Sequence, residues 1–158
     1  MIAAFTQAFE EAGVPYVVNM GKGFYETAEV KDLTQLLRTV ANPRDEVSLA
    51  AVLRSPLVAV SDEALLALKA MGDNLGGSLM RLGAESAGGF EAEDYGRLCG
   101  FRDRLREWRV RREYVTFDRL LAEAMDSSGY AAKSGARAAA NIDKFLAQAR
   151  QEIGRAHV

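Results

Sequence analysis

From residue 27 to residue 153 the apolar side chains return every third or fourth position, in one segment after another. That period suits a stack of amphipathic helices and little else. Val30, Leu33, Leu36, Leu37 and Val40 make the clearest stripe, with Thr27 placed to cap its helix and Glu29 in the first turn. Asn42-Pro43 predicts a second helix, with Pro43 at its first position and Asp45 in its first turn. Leu49, Val52 and Leu53 fall on one side of that helix and Val47, Ala50 and Ala51 on another, so it is expected to be buried around most of its circumference until Pro56 ends it. Ser61 begins another helix, with Asp62 and Glu63 at its positive end, Leu65, Leu66, Leu68 and Met71 inward, and Gly72 as the stop. Gly76-Gly77 and residues 83–90 are turn-rich, with room for one helical turn over 79–82.

Three further helices complete the series. A long one over about 92–113 turns Leu98, Phe101, Leu105 and Trp108 to the core. A helix capped by Thr116 carries Phe117, Leu120, Leu121 and Ala124 and ends before Gly129. The last runs from Gly135 or Ala136 to Ile153 and buries Ile142, Phe145, Leu146, Ala149 and Ile153. Ahead of all these, residues 1–12 read as a helix with Ala4, Phe5, Ala8, Phe9 and Ala12 on one face, stopped at Gly13. Residues 14–18 are β-branched and aromatic around Pro15 and read as one short strand. One strand makes no sheet, so its partner is expected outside this chain. The expected fold class is therefore mainly α, a helical bundle with one short N-terminal β-strand.

The 158 residues suffice for one domain, or one domain with a fragment of another. A formal net charge of −2 gives no global attraction for nucleic acid, so any such binding needs a local patch. A single cysteine, Cys99, excludes an internal disulfide and suits a reducing, cytoplasmic setting. With His157 as the one histidine, the usual Cys/His zinc site cannot be assembled. No apolar run approaches the roughly 20 residues that span a bilayer, so no membrane partner is expected.

Little in the sequence carries chemistry. Gly21-Lys22-Gly23 is not a phosphate loop, because the glycine spacing is wrong and Lys22 is followed by Gly23 and Phe24 rather than by a Mg²⁺-binding Ser or Thr. It reads as a tight turn. The acidic pairs Glu10/Glu11 and Asp62/Glu63, and Glu91, Glu93 and Asp94, lie at helix starts or on exposed faces, where dipole compensation and solubility account for them. The strongest local charge is the series Arg97, Arg102, Arg104, Arg106, Arg109, Arg111 and Arg112. One reading is a phosphate-contacting helix, with Trp108 or Tyr114 free to stack on a base. The other is a solvated face whose arginines pair with Asp103, Glu107 and Glu113 at helical spacing, leaving Trp108 in the core.

Residues 13–57 also resemble a known family. Val14 to Val18, Gly21 to Tyr25, Glu29-Val30-x-Asp32-Leu33, Asn42-Pro43-x-Asp45 and Leu53-Arg54-Ser55-Pro56-Leu57, followed by Ser61-Asp62-Glu63-Ala64-Leu65, look like the UvrD/Rep-type DNA helicases, closest to the AddA/RecB-like branch. Ala140-Asn141-Ile142-Asp143-Lys144-Phe145-Leu146-x-x-Ala149-Arg150 resembles a helix late in that family's 2B insertion. The resemblance implies that residues 1–27 are a remnant of the second RecA-like lobe, 28–154 a helical 2B-like accessory domain and 155–158 a tail. It implies an ATP-dependent parent helicase or helicase–nuclease, in which ATP and Mg²⁺, DNA and the remaining helicase subdomains are the partners. No motor motif falls in this chain, so the fragment is expected to have no catalytic residue, cofactor or metal, and weak or absent DNA binding. Where the family has Gly-Ile-Gly this chain has Ala59-Val60-Ser61, whose side chains obstruct close approach of a duplex phosphate, although a Ser-capped helix start can still offer amides to one. The residues expected to contact DNA are Arg54, Ser61, Arg97, Arg104, Arg111 and Arg112. The alternative is a self-contained helical adaptor that binds protein partners.

Overall fold

The computed structural model describes residues 22–156, and over them the chain is helical. The expected helix over 1–12 and strand over 14–18 lie outside the described residues. The elements are α1 (Lys22–Tyr25), α2 (Ala28–Ala41), α3 (Glu46–Arg54), α4 (Asp62–Ala70), α5 (Leu75–Met80), a 3₁₀ turn (Ala84–Gly89), α6 (Ala92–Arg111), α7 (Phe117–Ser128), α8 (Tyr130–Lys133) and α9 (Ala136–Ala156).

Helix α2 is the hub, with α3 packed most closely along it and α6, α7 and α9 also against it. Its stripe of Val30, Leu33, Leu36, Leu37 and Val40 is fully buried, as the period required. The same holds for Leu98, Phe101, Leu105 and Trp108 of α6, where the Trp108 ring meets Phe101 edge-on at 6.2 Å between centroids. In α9, Ile142, Phe145 and Ala149 are buried and Leu146 is half-buried. Two polar ties cross this core. Tyr130 donates its hydroxyl to Asp32 at 2.6 Å, and the Asn141 amide donates to Glu29 at 2.6 Å. Both bind the far end of the chain to the start of α2.

Several local expectations are corrected. Lys22–Tyr25 is one helical turn rather than part of a tight glycine turn. Thr27 holds the cap position of α2, but its hydroxyl donates back to the Phe24 carbonyl at 2.8 Å and caps nothing. Helix α3 starts at Glu46, not at Pro43, because Asp45 makes the better cap. Its carboxylate accepts from the Ser48 amide at 2.9 Å and the Ser48 hydroxyl at 2.7 Å, while Arg38 steadies it at 3.1 Å. Pro43 is left in the preceding turn. Nor is α3 buried all round: Val47 is 81% exposed, and Leu66 on α4 and Met71 just after it also face outward.

The diglycine of residues 76 and 77 lies inside α5 rather than in a loop. Asn74 accepts from the Gly77 amide, and the Leu75 amide donates to the Glu46 carboxylate, both at 2.6 Å. A side chain at residue 77 would put its Cβ only 2.7 Å from that Asn74 oxygen, so this cap requires glycine. Gly129 closes α7 in the left-handed region, at φ 64°, as its position predicted.

Candidate nucleic-acid interface

The seven arginines of α6 and its C-terminal edge point to more than one neighbour, and the structure gives six of them an acceptor within the chain. Arg109 donates to the Thr39 carbonyl at 2.9 Å, and Arg112 to those of Val40 and Ala41 at 3.2 and 2.9 Å. These are the last carbonyls of α2, left without intrahelical partners. Arg102 donates to the Leu82 carbonyl, and Arg106 to that of Met80 at 2.6 Å. The same helix thereby holds the end of α5. Arg97 reaches the Ala59 carbonyl at 2.7 Å. Arg111 grips Glu123 of α7 through two nitrogens at 2.7 and 2.9 Å, with Glu107 at 3.1 Å. Helix α6 is thus a clamp on the ends of its neighbours, and it also keeps the pairs Arg106–Asp103 and Arg111–Glu107 at helical spacing.

The direction of the surface charge follows from this. In Arg97–Glu93 the guanidinium is 41% exposed and the carboxylate 76%, and in Arg111–Glu107 the values are 29% and 62%. Arg102–Asp103 and Arg112–Glu113 are ordered the same way. In every such pair the carboxylate is the more exposed member, Arg106–Asp103 included at 53% and 61%. The outward face of a helix rich in arginine thus carries both signs of charge. Burial pushes the Arg109 guanidinium pKa down, with Arg112 adding to it. The bond from Arg111 holds the Glu123 carboxyl below its ordinary value.

Ser61 starts α4 and accepts from the Ala64 amide at 3.1 Å, as its sequence position predicted. Its own amide does not face open solvent. The buried carboxylate of Asp94, on α6, accepts from the Ser61 amide at 3.1 Å and from the Ser61 hydroxyl. A carboxylate from the chain itself thus sits at this helix start, beside the end where an anion would bind. Asp94 is therefore a structural partner rather than a solvating acid at a helix start. Ala59, two residues earlier, is the one non-glycine described residue with positive φ, at 59°. It adopts the backbone that glycine takes most easily. Arg54 lies outside this turn, more than half exposed and 2.9 Å from Asp62.

The expected contacts therefore separate. Ser61 and Arg97 meet at one turn beside Asp94, Arg111 and Arg112 serve α7 and α2, and Arg54 pairs locally. Arg104 has no hydrogen-bonding partner among the described residues. Trp108 is core, whereas Tyr114 is 84% exposed. Asp94, Glu123 and the Tyr130–Asp32 pair escape sequence reasoning. Only Asp32 has a sequence signal, as part of the Glu29-Val30-x-Asp32-Leu33 motif. Among the described residues no cluster of metal-binding side chains occurs, and no helix is long and apolar enough to cross a membrane.

The family model described as the UvrD-like helicase C-terminal domain matches residues 1–89. The chain is 32% identical over 154 residues to an ATP-dependent helicase/nuclease subunit from Acetivibrio thermocellus, and 30% identical over 160 residues to one from Clostridium novyi, with 93% of the chain covered in each case. A Bacillus cereus protein of the same name is 29% identical over 148 residues, or 88% of the chain. The chain spans only 12% of the length of each of these relatives. With the matched region running from the first residue through α5 to the end of the 3₁₀ turn, more than half of the 158 residues, the chain belongs to the UvrD-like helicase C-terminal domain family.

Proposed function

We propose that this chain is the 2B-like accessory portion of an ATP-dependent UvrD/Rep-type DNA helicase or helicase–nuclease. It steers or contacts DNA, or regulates the motor, and hydrolyses no ATP alone. The observation that carries this reading is one of proportion: nearly the whole chain aligns with ATP-dependent helicase/nuclease proteins of which it spans about an eighth. Within the parent, two RecA-like lobes would move single-stranded DNA using ATP and Mg²⁺, and residues 28–154 would project from the second lobe. The inward arginines favour a positional or regulatory role over a grip on DNA. Contacts from Arg97, Arg111 or Arg112 to phosphate would cost the bonds these residues make within the fold. A cytoplasmic setting fits a DNA-handling protein.

The self-contained adaptor remains the second reading, favoured by one feature. A shallow apolar groove between α3 and α4, lined by Val47, Ala50, Leu65, Leu66 and Leu75, lies open to solvent. Phosphate release from ATP, measured with and without single-stranded DNA, separates motor from accessory piece. The 158-residue chain is expected to show none above background, whereas the longer polypeptide carrying it should show DNA-stimulated release. Turnover by the short chain that disappears in Lys22→Ala would overturn the reading.

A further inference from the structure

Arg104 stands apart from the other arginines of α6. The side chain is half-buried, and its Nε is shielded from solvent with no hydrogen-bond acceptor among the described residues. Burial lowers its pKa, and Asp103 beside it offsets this only in part. Asp103 itself is already engaged, bonded to Arg102 at 2.8 Å with Arg106 4.0 Å away. A partly desolvated cation without a partner is costly, and native folds rarely leave one uncompensated. The surroundings leave room for an incoming group. Gly100, one turn back, lies under the Arg104 side chain, with its Cβ position 3.6 Å from Nη1, and nothing comes within 4 Å of the Cβ position of Gly96 one turn further.

We infer that Arg104 is the docking point for a carboxylate on a protein segment outside this chain, supplied by the remainder of the parent polypeptide. This rests on the accessory-portion reading above. Charge complementarity selects the occupant. The rim groups Glu93, Asp103 and Glu107 on α6 are each more exposed than the arginines they pair with, although Arg97 and Arg106 also reach solvent. A DNA strand brings a run of phosphates and is repelled by that rim. An aspartate or glutamate flanked by lysine or arginine satisfies Arg104 and the rim together. With about seven-eighths of the relatives' length lying beyond the aligned region, the parent has ample chain to supply such a segment.

Arginine footprinting with phenylglyoxal, read by mass spectrometry, tests this in the 158-residue chain and in the full-length protein that contains it. In the short chain Arg104 is expected to be modified faster than Arg109, Arg111 or Arg112, which are bonded inside the fold. In the full-length protein without DNA its modification should slow by about tenfold or more, the effect of an interaction of about 1.4 kcal/mol. Protection that appears only after duplex DNA is added would assign Arg104 to phosphate and overturn the inference. Equal reactivity in every sample, or protection already present in the short chain, overturns it as well. DNA-stimulated ATP hydrolysis by the same full-length preparation tests the parent reading separately, without reference to Arg104.

Discussion

Ala59 holds the most strained backbone among the described residues, at φ 59° with a Cβ. That conformation costs an L-residue about 1–2 kcal/mol. Ala59→Gly relieves it but adds about 0.4–1 kcal/mol of unfolded-state entropy. The net expectation is a gain of about 0.5–1 kcal/mol in chemical denaturation, and a destabilised variant would show that the turn carries no such strain. Asp45 is the second informative residue. Burial raises its pKa, but the Ser48 amide, the Ser48 hydroxyl and Arg38 outweigh that and leave it below the ordinary 3.8. A lowered carboxyl stabilises the fold fully above pH 3.8, and the contribution is lost as pH falls through the folded value. Asp45→Ala should therefore cost about 1–2 kcal/mol at neutral pH, the usual worth of such a cap, and less in acid. An equal loss at every pH would mean that the carboxylate's charge is irrelevant there.

Between elements, the ties from α2 to α8 and from α6 to α2 behave differently. Asp32 is raised above 3.8, mainly by burial and also by Glu29, with the Tyr130 hydrogen bond opposing. Its contribution is present in full below pH 3.8 and lost as pH rises through the folded value. Asp32→Asn keeps an acceptor for Tyr130 without the buried charge, so its stability relative to wild type should improve from pH 3.8 towards neutrality. Urea titrations across that range test this, and a constant offset would show that the charge is not the cost. The α6 clamp predicts the reverse of a DNA-binding helix. Arg109→Gln and Arg112→Gln should each lose about 1 kcal/mol, a charged hydrogen bond discounted for partial exposure. The apolar faces of α2, α6 and α9 are legible in the sequence because a period of 3.6 records which side is covered. The arginine acceptors are not, since Thr39 and Arg109 lie 70 residues apart and no local pattern links them. The outward Val47 and Leu66 are unreadable for a related reason: hydrophobicity shows what could be buried, not which element arrives to cover it.

For the molecule as a whole, the sequence motifs make the helicase family legible, and the fold explains some of them physically. Glu29 and Asp32 tie α2 to α9 and α8, Asp45 caps α3, and Asn141 completes a tie from the last helix. What the motifs do not reveal is the direction in which the basic helix faces. A net charge of −2, carboxylates outward on α6 and Asp94 seated at the start of α4 all oppose a polyanion. Six of the seven arginines of the α6 series hold the chain's own helices and turns, and we propose that they do so in place of gripping DNA. Fluorescence anisotropy of labelled duplex and single-stranded DNA, titrated with the 158-residue chain over a range of salt, puts that to the sharpest test. No saturable binding is expected at about 0.15 M salt, where the screening length is about 8 Å. Saturable binding there with a dissociation constant below about 10⁻⁶ M, tighter than ordinary non-specific binding and falling steeply with added salt, would contradict it.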